Sequence, residues 1–159
     1  MGFKFKKVAV GGTFDHLHIG HKALLKTAFE YGEFVVIGLS SDAFAKKLGK
    51  EIVQEFSFRI ERLRNFLDSN YPRRYEIHKL EDHFGPILVD ESIDAIVVSE
   101  ETLSRAKEAN GLRKAKGLKP LEIILIDTVL ADDGLPISST RIRNKEIDEE
   151  GHKLTEDLN

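Results

Sequence analysis

The chain has 159 residues, 41% of them hydrophobic, and a formal net charge of −3. That length suits one domain with a real core. The lack of cysteine excludes disulfides and thiolate metal sites, and the acidic balance offers no global field for nucleic acid. Apolar runs of about six residues are too short to span a bilayer. The N-terminus has no signal-type apolar core, so a cytoplasmic protein is expected.

Strand-length apolar runs alternate with helical patterns. KVAV (Lys7–Val10) predicts a buried strand. HKALLKTAFEYG predicts a helix with Ala23, Leu24, Thr27 and Ala28 inward and Gly32 as its stop. A second strand follows at Phe34–Ser40, then a helix FRIERLRNFL capped by Ser57. Further strands are expected at Arg74–Leu80, Asp94–Ser99 and Leu121–Asp127. A helix lies within TLSRAKEANGLRKAKGL, and a last one starts at ISSTRIRNKEI. This alternation predicts a five-stranded parallel sheet with helices on both faces. Residues 1–150 form the domain, and the polar residues after them read as a helix end or fraying tail over 151–159.

The polar motifs all follow predicted strands, where ligands of such sheets bind. GGTFDHLHIGH (Gly11–His21) could be a metal site, a nucleotide loop or a turn. It matches neither the dinucleotide fingerprint nor the P-loop. Without a third ligand or an HExxH pattern, no protein-held metal is expected. Gly11 and Gly12 let backbone approach a ligand. Thr13 offers a hydroxyl, and His18 and His21 share one face of a helix beginning there. A helix N-terminus favours phosphate, although a histidine there also serves as a cap, a packed polar group or a general base. His16 takes no assigned role. PISSTRIR (Pro136–Arg143) is either a capped surface helix or a second phosphate cradle. In DAFAKKLGKE, Lys46, Lys47 and Lys50 form a solvated face or a basic loop, and VVSEET (Val97–Thr102) is a helix start with dipole-favoured acids.

GTFDHLHIGH resembles the (T/H)xGH signature of the nucleotidyltransferase superfamily, and PISSTRIR resembles its second signature, ISS(S/T)xxR. The resemblance extends over residues 6–145 and implies a Rossmann-like, doubly wound α/β sandwich. It implies catalytic roles for Thr13, His18, His21 and a lysine after the second strand, matched by Lys46 with Lys47 beside it. It places the nucleotide on Gly11, Gly12, Phe14, Gly20, Ser138, Ser139, Thr140 and Arg141.

VVSEET is similar to the archaeal and eukaryotic type of phosphopantetheine adenylyltransferase. Bacterial members carry RGLR at this place, and their acceptor arginine has no counterpart here. Arg59, Arg105 or Arg113 could supply that charge. Asp15, Lys47, Ser99, Thr102 and Arg113 are the expected acceptor residues. The implied reaction joins ATP and 4′-phosphopantetheine into dephospho-coenzyme A and pyrophosphate, with Mg²⁺ brought by ATP. Cytidylyltransferases and adenylyltransferases for FMN or nicotinamide mononucleotide share both signatures. The RTxGIST segment of the former and the GRFQP start of the nicotinamide mononucleotide enzymes are absent here. Oligomeric state stays open.

Overall fold

Val8 and Val10 point to one side of the first strand and Ala9 to the other, which sets the layering of the whole domain. The computed structural model describes residues 2–50 and 53–154. Five strands form one all-parallel sheet: β1 (Phe5–Gly12), β2 (Gly32–Ser40), β3 (Tyr75–Leu80), β4 (Ala95–Val98) and β5 (Glu122–Leu125), in spatial order β3-β2-β1-β4-β5. On one face, Val8, Val10, Val35, Ile37 and Val97 pack against Leu25, Ala28 and Phe29 of α1 (Ile19–Tyr31) and Leu63 and Leu67 of α3 (Phe56–Asn70). On the other, Ala9 and Val36 meet Ala109 of α4 (Leu103–Ala115) and Ile87 of a 3₁₀ turn. The central strands β1, β2 and β4 are buried on both sides, which accounts for their V/I/L runs. The order reverses between β1 and β4, so a crevice opens beyond the carboxyl ends of those strands.

The expected strands and helices are present, with local differences. In α1 the buried positions are Leu25, Ala28 and Phe29, whereas Ala23, Leu24 and Thr27 are half-buried. Gly32 ends α1 and opens β2 without a loop. A Cβ there would meet Val8 Cγ2 at 2.7 Å. Ser57 does not cap α3, which begins one residue earlier. The Phe56 N–H donates instead to the Asp42 carboxylate of α2 (Asp42–Lys47) at 2.9 Å, a cap from another element that no local pattern encodes. The last helix, α5, is only Ser139–Arg143.

Beyond α5 the chain folds back instead of fraying. Ile147, fully buried, bridges Lys153, and the Ile19 N–H donates to the Glu149 carbonyl at 2.9 Å. Arg62 of α3 holds the Glu149 carboxylate with two hydrogen bonds of 3.0 and 3.2 Å. The part of the expected tail over 151–154 is a hydrogen-bonded turn, exposed at 152–154, and 155–159 lie outside the described residues. No helix among the described residues is long and apolar enough to cross a membrane.

Candidate active site

A cavity of about 480 Å³ sits at the reversal point of the sheet. Its wall comes from the segments after β1, β4 and β5 and from the starts of α1 and α5. Gly11, Gly12, Thr13, Phe14, Asp15, His18, Gly20, His21, Ser99, Thr102, Ser138, Ser139 and Thr140 all line it, as the sequence leads one to expect.

His18 is the N-cap of α1. Its Nδ1 accepts the N–H groups of Gly20 (3.1 Å) and His21 (3.3 Å), while His21 Nδ1 accepts the His18 N–H at 3.2 Å. This is a capping box built from two imidazoles. It fixes the tautomer: with both Nδ1 atoms accepting, each neutral ring carries its proton on Nε2. The rings stack, with centroids 3.6 Å apart. Burial pushes the His18 pKa down to about 4, and the nearby Glu149 carboxylate only partly opposes this. Burial lowers His21 well below its usual range too, aided by its neighbour His18. Near neutral pH the pair therefore presents two uncharged Nε2–H donors to the cavity. Gly20 keeps this arrangement possible, since a Cβ there would stand 2.9 Å from His18 Cε1 and 3.2 Å from Ile137 Cγ2.

The lowered His18 pKa carries a stability consequence. The folded ring stays neutral where the unfolded one, near 6.5, takes up a proton. Stability is therefore complete above about pH 6.5 and falls as pH drops toward 4. A change from 6.5 to about 4 corresponds to a loss on the order of 3 kcal/mol. Urea unfolding of the wild type at pH 7 and pH 5 should show this decline, and His18→Gln should reduce it, the remainder belonging to His21, whose lowered pKa acts in the same direction. An unchanged slope in that variant would remove the cause assigned here.

The loop between β1 and α1 is held in an unusual conformation. Phe14 and His16 have φ of +51° and +49° without being glycine, a strain that surrounding contacts must hold. Asp15, 3% exposed, supplies several of them. Its Oδ1 accepts the Gln54 N–H at 2.9 Å, its Oδ2 accepts from Arg143 at 2.9 Å, and its carbonyl accepts from Ser139 Oγ at 2.7 Å. Asp15 thus ties the first signature loop to the second.

Four expected residues lie elsewhere. Lys46 and Lys47 are exposed on α2, outside the cavity wall. Gly49, at φ +83°, ends α2, and the Lys50 N–H then closes back on the Ala45 carbonyl at 3.0 Å. That reversal brings Lys50 into the wall, with Nζ 3.3 Å from Thr13 Oγ1. Arg141 turns away from the cavity to pair with Asp133 and, at 3.2 Å, Glu146. Arg143 lines the cavity instead, beside Thr140 Oγ1 at 3.2 Å. Arg113 is fully buried and donates to the carbonyls of Ile87, Asp90 and Lys119, so it is a structural clip and no acceptor ligand. Arg59 is buried likewise, and Arg105 is paired with Glu108 on the surface of α4.

The wall carries two kinds of group. Lys50, Arg143, the histidine pair and the starts of α1 and α5 supply cationic and N–H donors. Ser99, Glu100, Glu101, Thr102, Asp127 and Thr128, from the segments after β4 and β5, supply hydroxyls and carboxylates. Polyanions fit the first set, and groups with N–H or O–H donors fit the second.

A family model described as cytidylyltransferase-like matches residues 9–145. A phosphopantetheine adenylyltransferase from Methanothermobacter thermautotrophicus is 48% identical over 149 residues, covering 94% of this chain and 90% of the relative. One from Methanopyrus kandleri is 48% identical over 147 residues, covering 92% and 93%. Among solved structures, an Archaeoglobus fulgidus protein described as of unknown function superposes with a TM-score of 0.71 at 31% identity, covering 83% of this chain and 99% of that one. The chain belongs to the cytidylyltransferase-like nucleotidyltransferases and, within them, to the phosphopantetheine adenylyltransferase family.

Proposed function

We propose that the protein transfers the adenylyl group of ATP to 4′-phosphopantetheine, giving dephospho-coenzyme A and pyrophosphate. One observation carries the mechanism: a neutral histidine pair whose Nδ1 atoms are occupied by backbone N–H groups, leaving two Nε2–H donors for the cavity. An acceptor phosphate monoester has a second pKa of about 6 and is already an oxyanion nucleophile at neutral pH. It attacks the α-phosphorus in line, a new P–O bond forms, and the bond to the pyrophosphate oxygen breaks. No general base is needed. The reaction depends on positioning and on donors aimed at developing charge.

In this reading Thr13 Oγ1 orients the reacting phosphates, and the His18 and His21 Nε2–H groups donate to their oxygens. Lys50 replaces Lys46 as the cation beside Thr13. Gly11, Gly12, Phe14 and Gly20 shape the α-phosphate end, and Ser138, Ser139, Thr140 and Arg143 receive the β- and γ-phosphates. Ser99 and Thr102 offer hydroxyls to the acceptor. Both Asp15 oxygens are engaged by protein donors, and among the described residues no group of three or more His, Asp or Glu is placed to hold a metal ion. That donor set fits Mg²⁺ carried on the ATP phosphates with most of its water, a form in which it supplies charge neutralisation. The partners are thus small molecules, and a cytoplasmic setting suits them.

Pyrophosphate release with ATP against a panel of 4′-phosphopantetheine, FMN, nicotinamide mononucleotide and a phospho-alcohol tests the reading, with CTP in parallel. Release confined to ATP with 4′-phosphopantetheine supports it. Release with another pair, or with none, overturns it.

A further inference from the structure

α5 buries none of its five residues, so no core packing fixes the Arg143 that it carries. An arginine side chain has many rotamers, and it serves as a placed donor only where other groups hold it. Here the holding group is Asp15. Its Oδ2 accepts from Arg143 Nη1 at 2.9 Å, and Arg143 Nη2 donates to Thr140 Oγ1 at 3.2 Å. The planar fork is thus held at two points while it lines the cavity. The Asp15 carbonyl also takes the Ser139 hydroxyl at 2.7 Å. One residue of the first signature moors both the helix and its arginine.

Asp15 is the fixed member of this pair. Its side chain is 4% exposed, against 24% for Arg143. It sits between Phe14 and His16, whose backbones are held at positive φ, and its Oδ1 is occupied by the Gln54 N–H at 2.9 Å. His16 Nε2 stands farther off, 3.9 Å from Oδ2. A carboxylate this buried is costly to leave unpaired, which keeps the guanidinium on it. Arg141, two residues earlier, pairs with Asp133 and Glu146 instead and turns away from the cavity.

We infer that Asp15 is a positioning residue, which holds Arg143 where the pyrophosphate departs; this rests on the phosphate role given to Arg143 above. Asp15 then acts on the leaving group and not, as the resemblance implies, on the acceptor. Removing its charge has two effects, which separate in the kinetics. Less negative charge beside a polyanion favours ground state and transition state alike, so it acts on KM. Losing the placement of a donor on the departing oxygens acts on kcat.

Asp15→Asn keeps an oxygen for the Gln54 N–H and sets an NH₂ group, which cannot accept, against Arg143. Its kcat should fall by about tenfold, with neither the KM for ATP nor that for the acceptor rising more than about twofold. In the Arg143→Ala background the same substitution should cost less than about twofold in kcat. Arg143→Lys tests the pair from its more exposed side, without touching the buried carboxylate. Lysine keeps the charge but loses the fork, so kcat should again fall by about tenfold. An equal loss from Asp15→Asn in both backgrounds, a loss confined to either KM, or full turnover in Asp15→Asn or in Arg143→Lys overturns the inference. If Arg143→Ala alone leaves turnover unchanged, the phosphate role of Arg143 fails first and the positioning role of Asp15 with it. A wild type that turns over with no acceptor of the panel overturns the proposed reaction itself, and this role with it.

Discussion

His21→Ala is expected to lower kcat by about a hundredfold or more in a protein that remains folded. The ring stacks on His18, and its one free polar atom is the Nε2–H donor. Its removal deletes a donor that the transition state needs and that ground-state binding hardly uses, so kcat should fall more than KM rises. The structural cost is small by comparison. The variant loses one side of the capping box, worth about 1 kcal/mol, while Leu25, Ala28 and Phe29 continue to anchor α1. A folded His21→Ala protein, judged by circular dichroism and a cooperative urea transition, with near-normal turnover would sink the role given to the pair.

Lys50→Ala should reduce kcat by a similar factor, about a hundredfold, whereas Lys46→Ala and Lys47→Ala should each stay within about twofold, as exposed substitutions usually do. The difference comes from geometry alone. All three lysines lie within five residues of one another, yet only Lys50 touches Thr13 and lines the cavity. Steady-state kinetics of the three single variants decides the matter. A severe loss in Lys46→Ala with a mild one in Lys50→Ala would reinstate the sequence-based choice.

The sheet and most of the cavity were legible in the sequence because their signals are local. V/I/L runs mark β1, β2, β4 and β5, the first signature begins where β1 ends, and the second follows β5. What stayed hidden depended on directions in space. Lys46 matched by spacing from the strand, but the helix-stop glycine at 49 redirects the chain and brings Lys50 to Thr13. Gly49 was the readable clue. Arg143 was readable too: it lies three and four residues after Thr140 and Ser139, on their face of α5, whereas Arg141 does not. Arg113 could not have been sorted by composition, since a cavity ligand and a buried clip for three carbonyls look alike in a string of letters. The Asp42 cap on α3 and the closing turn at Glu149 come from partners remote in sequence. Nothing local announces them.

The central claim is that the α-phosphorus of ATP, and no other, is the atom attacked. Reactions with ATP labelled at the α- or at the γ-phosphate, each with 4′-phosphopantetheine, follow the label directly. The account predicts that α-label appears in dephospho-coenzyme A, in equal amount to the pyrophosphate released, while γ-label stays wholly in pyrophosphate. Transfer of γ-label to the acceptor, or ATP consumption without α-label in the product, would contradict it.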